Sequence, residues 1–221
     1  MTDQTSPEPA LETGAALRDE VGRRSVAARR TLHEGMIFDL VRDTVDFTAE
    51  VRFDREYLCH TGAVAVLALD EQDRVLLIRQ YRHAVGATLW EIPAGLLDRD
   101  GEAPHRAALR ELAEEAGVSA TALRTLVDLR PSPGGSDEVI RVYLATGLTA
   151  ATLDFERTDE EAELITAWVP LQEAITAALD GRITNATTVS ALLALAAVRS
   201  GEGIAALRPA DAPFLERPGR D

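Results

Sequence analysis

The chain has 221 residues, with 37 acidic against 23 basic side chains and a formal net charge of −14. All 23 bases are arginine, which excludes a P-loop lysine, a Schiff-base lysine and a Ser-Lys dyad, while the acidity excludes a surface that wraps a nucleic-acid backbone or a polybasic membrane anchor. One cysteine, Cys59, permits no internal disulfide, and the 46% hydrophobic but only 5% aromatic content predicts one domain with an aliphatic core.

Residues 1–30 are rich in Pro, Glu, Ser, Thr and Arg and predict an N-terminal arm, with a short helix over 15–29 as an alternative. Its first residues lack the basic start and apolar run of a signal peptide. From Gly35 to Leu58 apolar and polar residues alternate, which predicts two or three half-exposed strands and sets off residues 31–58 as a small β region. TGAVAVLALD (61–70) reads as a strand buried on both faces, and the turn EQDR leads into RVLLIRQYR (74–82) as its hairpin partner. TLWEIP (88–93) is a further extended piece, broken by Pro93-Ala94-Gly95.

Glu102 to Gly117 is the clearest helix, with Pro104 in its first turn and Gly117 as its stop. Strands at 122–129 and 139–146 flank the loop RPSPGGSDE. An acidic loop (152–163), a strand (164–170) and two helices near 170–180 and 185–199 complete a main domain over 59–200. Residues 201–221 read as an irregular tail. The longest apolar-rich stretch, Val189 to Val198, is about half the ~20 residues needed to span a bilayer. The expected location is the cytoplasm, without nucleic-acid or membrane partners. The whole is a mixed α/β domain.

His33, His60, His83 and His105 are too scattered to build a zinc site with the lone cysteine. Carboxylates are another matter. On the helix, Glu111, Glu114 and Glu115 stand at i, i+3 and i+4 and converge on one face, while Leu109, Leu112 and Ala116 form a stripe that can pack on a sheet. A solvated acidic face explains such a triplet when it stands alone. Converging carboxylates otherwise call for a cation, and oxygen ligands suit Mg²⁺, with Mn²⁺ as the alternative.

The triplet sits in a longer pattern. The segment from Gly95 through Glu102, Arg110, Glu111, Leu112, Glu114, Glu115, Gly117 and Val118 resembles the Nudix box, GX5EX7REUXEEXGU, in which U is aliphatic. Six residues, not five, separate Gly95 from Glu102, which leaves the helical register intact and alters only the loop before it. The resemblance implies an α/β/α sandwich and a metal-dependent hydrolase of nucleoside diphosphates linked to a further moiety. It implies Glu111 and Glu115 as the main metal ligands, Glu114 as a further ligand or their supporter, the carbonyl of Ala94 completing the site, and Arg110 orienting the glutamates. Glu102 would serve the loop–helix junction. A general base outside the box is expected in the acidic loop, at Glu161 first, then Glu160, with Glu163 as a third candidate.

Pro133, fifteen residues beyond Val118, resembles the marker of the ADP-ribose pyrophosphatase subgroup. That subgroup also resembles this chain over 54–67, 77–97 and 181–187, so the likeness covers about 31–200. It implies hydrolysis of ADP-ribose to AMP and ribose 5-phosphate, and a homodimer that exchanges the N-terminal β region. It further implies phosphate contacts from Arg55, which precedes Glu56, and from Arg82; arginine's planar fork suits phosphate. Glu138 would meet the terminal ribose, and Phe38, or Met36 or Ile37, would pack on adenine from the partner subunit. The alternatives are another nucleoside-diphosphate sugar such as GDP-mannose as substrate, or a non-catalytic nucleotide sensor.

Overall fold

A computed structural model describes residues 13–14, 17–151 and 164–215. Ser25–His33 (β1), Phe38–Asp46 (β2) and Arg52–His60 (β3) form an antiparallel sheet in that order. Residues 25–30, expected in the arm, and the alternative helix over 15–29, are thus replaced in part by a strand. The pattern hid it because β1 is almost wholly exposed and carries no apolar alternation. What seats it is an ion pair: Arg29 donates from Nε and Nη2 to Asp43 at 2.7 and 2.8 Å, and Tyr57 Oη donates to the same carboxylate at 3.0 Å. Asp43 is buried, and the bonds from Arg29 hold its carboxyl below the usual carboxylate range.

Ala63–Ala68 (β4) and Arg74–Arg82 (β5) do not pair as the expected hairpin. The turn between them is well made, with Asp70 accepting from the N–H groups of Gln72 and Arg74, but only one bridge, Leu69 to Val75, joins the two runs. β4 buries both faces along its length and β5 does so over Val75–Ile78, and the two take other partners. β5 pairs with Ala87–Glu91 (β6). β4 pairs with the short Ala94–Leu96 (β7). The helix Pro104–Ala116 (α1) follows, then Val118–Leu129 (β8) and Ile140–Ala150 (β9), and β9 runs parallel to β4. Ile165–Pro170 (β10) pairs with the other edge of β5. Leu171–Leu179 (α2) and Ala186–Ser200 (α3) come next, and Arg208–Pro209 (β11) pairs with β8. The sheets are therefore β1-β2-β3, β10-β5-β6 and β11-β8-β9-β4-β7.

Period-2 alternation in β4 divides the core. Val64, Val66 and Ala68 pack with Ala107, Ala108 and Leu112 of α1. Ala63, Ala65, Leu67 and Leu69 face Leu171, Ala174, Leu192 and Leu195 of α2 and α3. Helices thus cover both faces of the β layer. No helix among the described residues is long and apolar enough to cross a membrane.

Residues 201–215 carry more regular structure than the composition of the tail suggests. Arg141, 1% exposed, donates from Nε and Nη2 to Asp128 at 2.7 and 2.9 Å, and from Nη1 and Nη2 to the carbonyls of Ala212 and Pro213 at 2.5 and 2.7 Å. Its guanidinium carbon lies 4.7 Å from the centroid of the Phe214 ring.

Candidate active site

α1 begins at Pro104, whose missing N–H costs nothing there, and ends at Gly117, left-handed at φ 67°, whose N–H closes on Ala113. Of the expected stripe, Leu112 is buried on the sheet and Ala116 packs half-buried against the same cluster, while Leu109 is half-buried outside it and Ala107 and Ala108 complete the buried face. Ala108, Leu112 and Glu115 stand at i, i+4 and i+7 on one stripe. A carboxylate therefore occupies a core position: Glu115 is 8% exposed, and its Oε2 accepts from the Ala94 N–H at 2.9 Å.

Arg110 gathers the other acids. Its Nε and Nη2 grip both oxygens of Glu102 at 3.0 and 2.8 Å, and its Nη1 donates to Glu111 at 2.6 Å and to Glu114 at 2.9 Å. Those bonds lower the Glu102 carboxyl and raise the guanidinium, so Arg110 stays charged. Glu111 goes the other way. Burial pushes its carboxyl up despite the neighbouring arginine. It lies against Gly95, where any Cβ would overlap the Glu111 carboxyl group. Only glycine lets the carboxylate come this close to the backbone.

Two carboxylates, the half-buried Glu111 and the buried Glu115, thus meet the chain at Gly95 and Ala94. Among the described residues no three acidic, histidine or cysteine side chains stand close enough to chelate an ion unaided, because Glu111 and Glu114 turn to Arg110 and Glu115 to the Ala94 N–H. The donor set nevertheless fits a hard divalent cation: all oxygen, and under-compensated at Glu111.

Ala94, Gly95 and Leu96 form one wall of a cleft of about 570 Å³ that also presents His60, Arg82, Glu91, Pro131, Glu138 and Asn185. Glu138 is carried there by a loop tied to the end of β3: Leu58 N–H donates to Gly135 at 2.9 Å, Asp137 N–H to Leu58 at 3.1 Å, and His60 N–H to the Asp137 carboxylate at 2.7 Å. Of the anticipated substrate residues, Arg82 and Glu138 line this cleft. Arg55 and Pro133 line a separate groove with Arg23, Tyr57 and Arg130, and Glu56 is ion-paired with Arg42 on the N-terminal sheet. Ile37 reaches the cleft. Met36 and Phe38 are exposed. Glu160, Glu161 and Glu163 lie outside the described residues.

Over residues 60–192, more than half its length, the chain matches the NUDIX domain. It belongs to the Nudix family. It is similar to the ADP-ribose pyrophosphatase of Mycobacterium tuberculosis, 45% identical over 85% of this chain and 89% of that protein. It is 34% identical to the ADP-ribose pyrophosphatase of Bacillus subtilis, over 75% of this chain and 88% of that protein. Among solved structures, one titled as a crystal structure of ADP compounds hydrolase superposes with a TM-score of 0.69, covering 84% of this chain and 99% of that one at 24% identity, a likeness of fold. Nudix proteins typically depend on a divalent metal.

Two residues of the Nudix cleft escaped the sequence reading. Glu91 lines it while pairing with Arg82. The available signal was an acid at an inward position of a short apolar strand. Asn185 caps α3 by accepting from the Thr188 N–H at 2.9 Å, and Thr188 Oγ1 in turn accepts from the Ile92 N–H at 3.1 Å. The Thr184-Asn185 helix entry was legible, its second use at the strand leading to Ala94 was not.

Proposed function

We propose that the chain is a Mg²⁺-dependent pyrophosphatase that splits ADP-ribose into AMP and ribose 5-phosphate. The observation that carries this reading is the meeting of two carboxylates, the half-buried Glu111 and the buried Glu115, with the Ala94–Gly95 wall of a cleft that holds Arg82. The similarity to proteins named for ADP-ribose hydrolysis supports the choice of substrate.

In this reading Glu111 and Glu115, with Glu114 and the Ala94 carbonyl beside them, would hold the metal. When bound, Mg²⁺ supplies positive charge against the pyrophosphate and acidifies water. Arg110 keeps three carboxylates in place through one guanidinium and stays off the substrate. Arg82 receives phosphate oxygens, and Glu138 meets the terminal ribose. Glu161, or Glu160, takes the proton from the attacking water. With Mg²⁺ and a panel of ADP-ribose, GDP-mannose, NADH and diadenosine polyphosphates, the purified protein is expected to show its highest kcat/KM on ADP-ribose. Turnover of none of them would refute the hydrolase. Preference for GDP-mannose would move the substrate.

The N-terminal sheet serves, in the same reading, as the interface of a homodimer that brings Arg55 to the partner's cleft. Exposed Met36, Ile37, Phe38, Phe47 and Val51 on that sheet and its connections supply the apolar surface to be covered. Light scattering is expected to give twice the monomer mass. A fully active monomer would remove the shared site.

A further inference from the structure

A buried carboxylate is costly unless cations and hydrogen bonds compensate it. Glu91 is such a group outside the box: 3% exposed, in a strand whose neighbours are Leu89, Trp90 and Ile92. Its two oxygens take Nε of Arg82 at 3.0 Å and Nη2 at 2.6 Å. The register explains the pairing. Ile78 stands opposite Glu91, Gln80 opposite Leu89 and Arg82 opposite Ala87, so Arg82 and Glu91 share one face of the hairpin, two alternating rungs apart. The arginine reaches back along the hairpin, with its Nε–Nη2 edge against the acid. Arg82, Leu89 and Glu91 all line the cleft. The strand bearing Glu91 is itself fixed, since the next N–H, of Ile92, is held by Thr188 and that of Ala94 by Glu115.

We infer that Glu91 is a positioning residue: it sets the guanidinium plane of Arg82 against the cleft, so that the arginine meets the phosphates of the substrate in one orientation. The inference rests on Arg82 as a phosphate contact of the proposed pyrophosphatase. An arginine left to itself gives up rotamer freedom each time a ligand immobilises it. Glu91 has removed that freedom beforehand, which favours binding. The gain acts on bound substrate and transition state alike, so its loss belongs in KM rather than kcat.

The test compares wild type, Glu91→Gln, Arg82→Ala and the double variant on ADP-ribose with Mg²⁺, with circular dichroism as a check of folding. Glu91→Gln is expected to raise KM about tenfold and to leave kcat within about twofold. In the Arg82→Ala background the same change is expected to raise KM no further. Arg82→Lys, which keeps the charge but cannot form the two-pronged pair, is expected to mimic Glu91→Gln and stands in for it should that variant not fold. An unchanged KM in Glu91→Gln, or an equal rise in both backgrounds, overturns the inference. Calorimetric titration of the same proteins with ADP-ribose, without metal, repeats the comparison as Kd. A protein that binds but does not hydrolyse thus sinks the function reading alone, and one whose binding ignores Glu91 sinks the positioning role alone.

Discussion

Glu115→Gln is expected to lower metal-dependent turnover on the order of 10³-fold while leaving the fold in place. The substitution keeps the side-chain shape and an oxygen able to accept from the Ala94 N–H, the bond that Glu115 makes at 2.9 Å. What it removes is one negative charge at a buried position on the face of α1 that packs against the sheet. A hard cation depends on charged oxygen donors, so calorimetric Mg²⁺ binding should weaken in step with turnover. Glu114→Gln is expected to cost less, because Arg110 also grips Glu102 and Glu111. A fully active Glu115→Gln protein would show that the metal is held elsewhere.

The largest effect on stability is expected at Arg141, far from that chemistry in kind. Arg141→Leu should destabilise the fold by about 3–5 kcal/mol, which for a chain of this size lowers Tm by roughly 6–20 °C. Burial pushes the Asp128 carboxyl up, but bonds from Arg141 and Arg208 outweigh it and hold it below its ordinary range. With Arg141 gone, only the half-exposed Arg208 partners that acid. The carbonyls of Ala212 and Pro213 lose their donor as well. Arg141→Lys should recover part of the loss, since an ammonium restores charge without the fork. Thermal unfolding followed by circular dichroism decides the matter, and a Tm shift under about 2 °C would mean that the clamp contributes little.

The helix that carries the carboxylates was legible because its signals are local: Pro104 at one end, Gly117 at the other, and acids at helical spacing between them. The faces were less so. Ala107 and Ala108, rather than Leu109, make the contact with the sheet, since small residues let the helix sit close and periodicity alone does not favour them. Non-local pairing was the main blind spot. The turn after β4 is correctly made by Asp70, yet β4 and β5 take partners distant in sequence, and no local rule selects β9 as the parallel neighbour of β4. β1 escaped notice because one ion pair, Arg29 to Asp43, rather than an apolar stripe, seats it. The tail's structure depends likewise on a single buried arginine inside an apolar strand. In the cleft, Arg82 and Glu138 were identified by resemblance, whereas Glu91 needed the hairpin register to be seen facing Arg82.

The hydroxyl of Thr188 has a consequence for the order in which the molecule is completed. It is the acceptor for an N–H 96 residues earlier in the chain, that of Ile92, just ahead of the glycine on which Glu111 rests. During synthesis α1 and its acids emerge long before residue 188 exists. Their backing segment, already paired with β5 and β4 on either side of it, then has one amide without its buried acceptor until α3 docks. The corner that α1 forms with that strand is thus completed in its hydrogen bonds only by α3, a helix later in the chain than the one that bears the carboxylates.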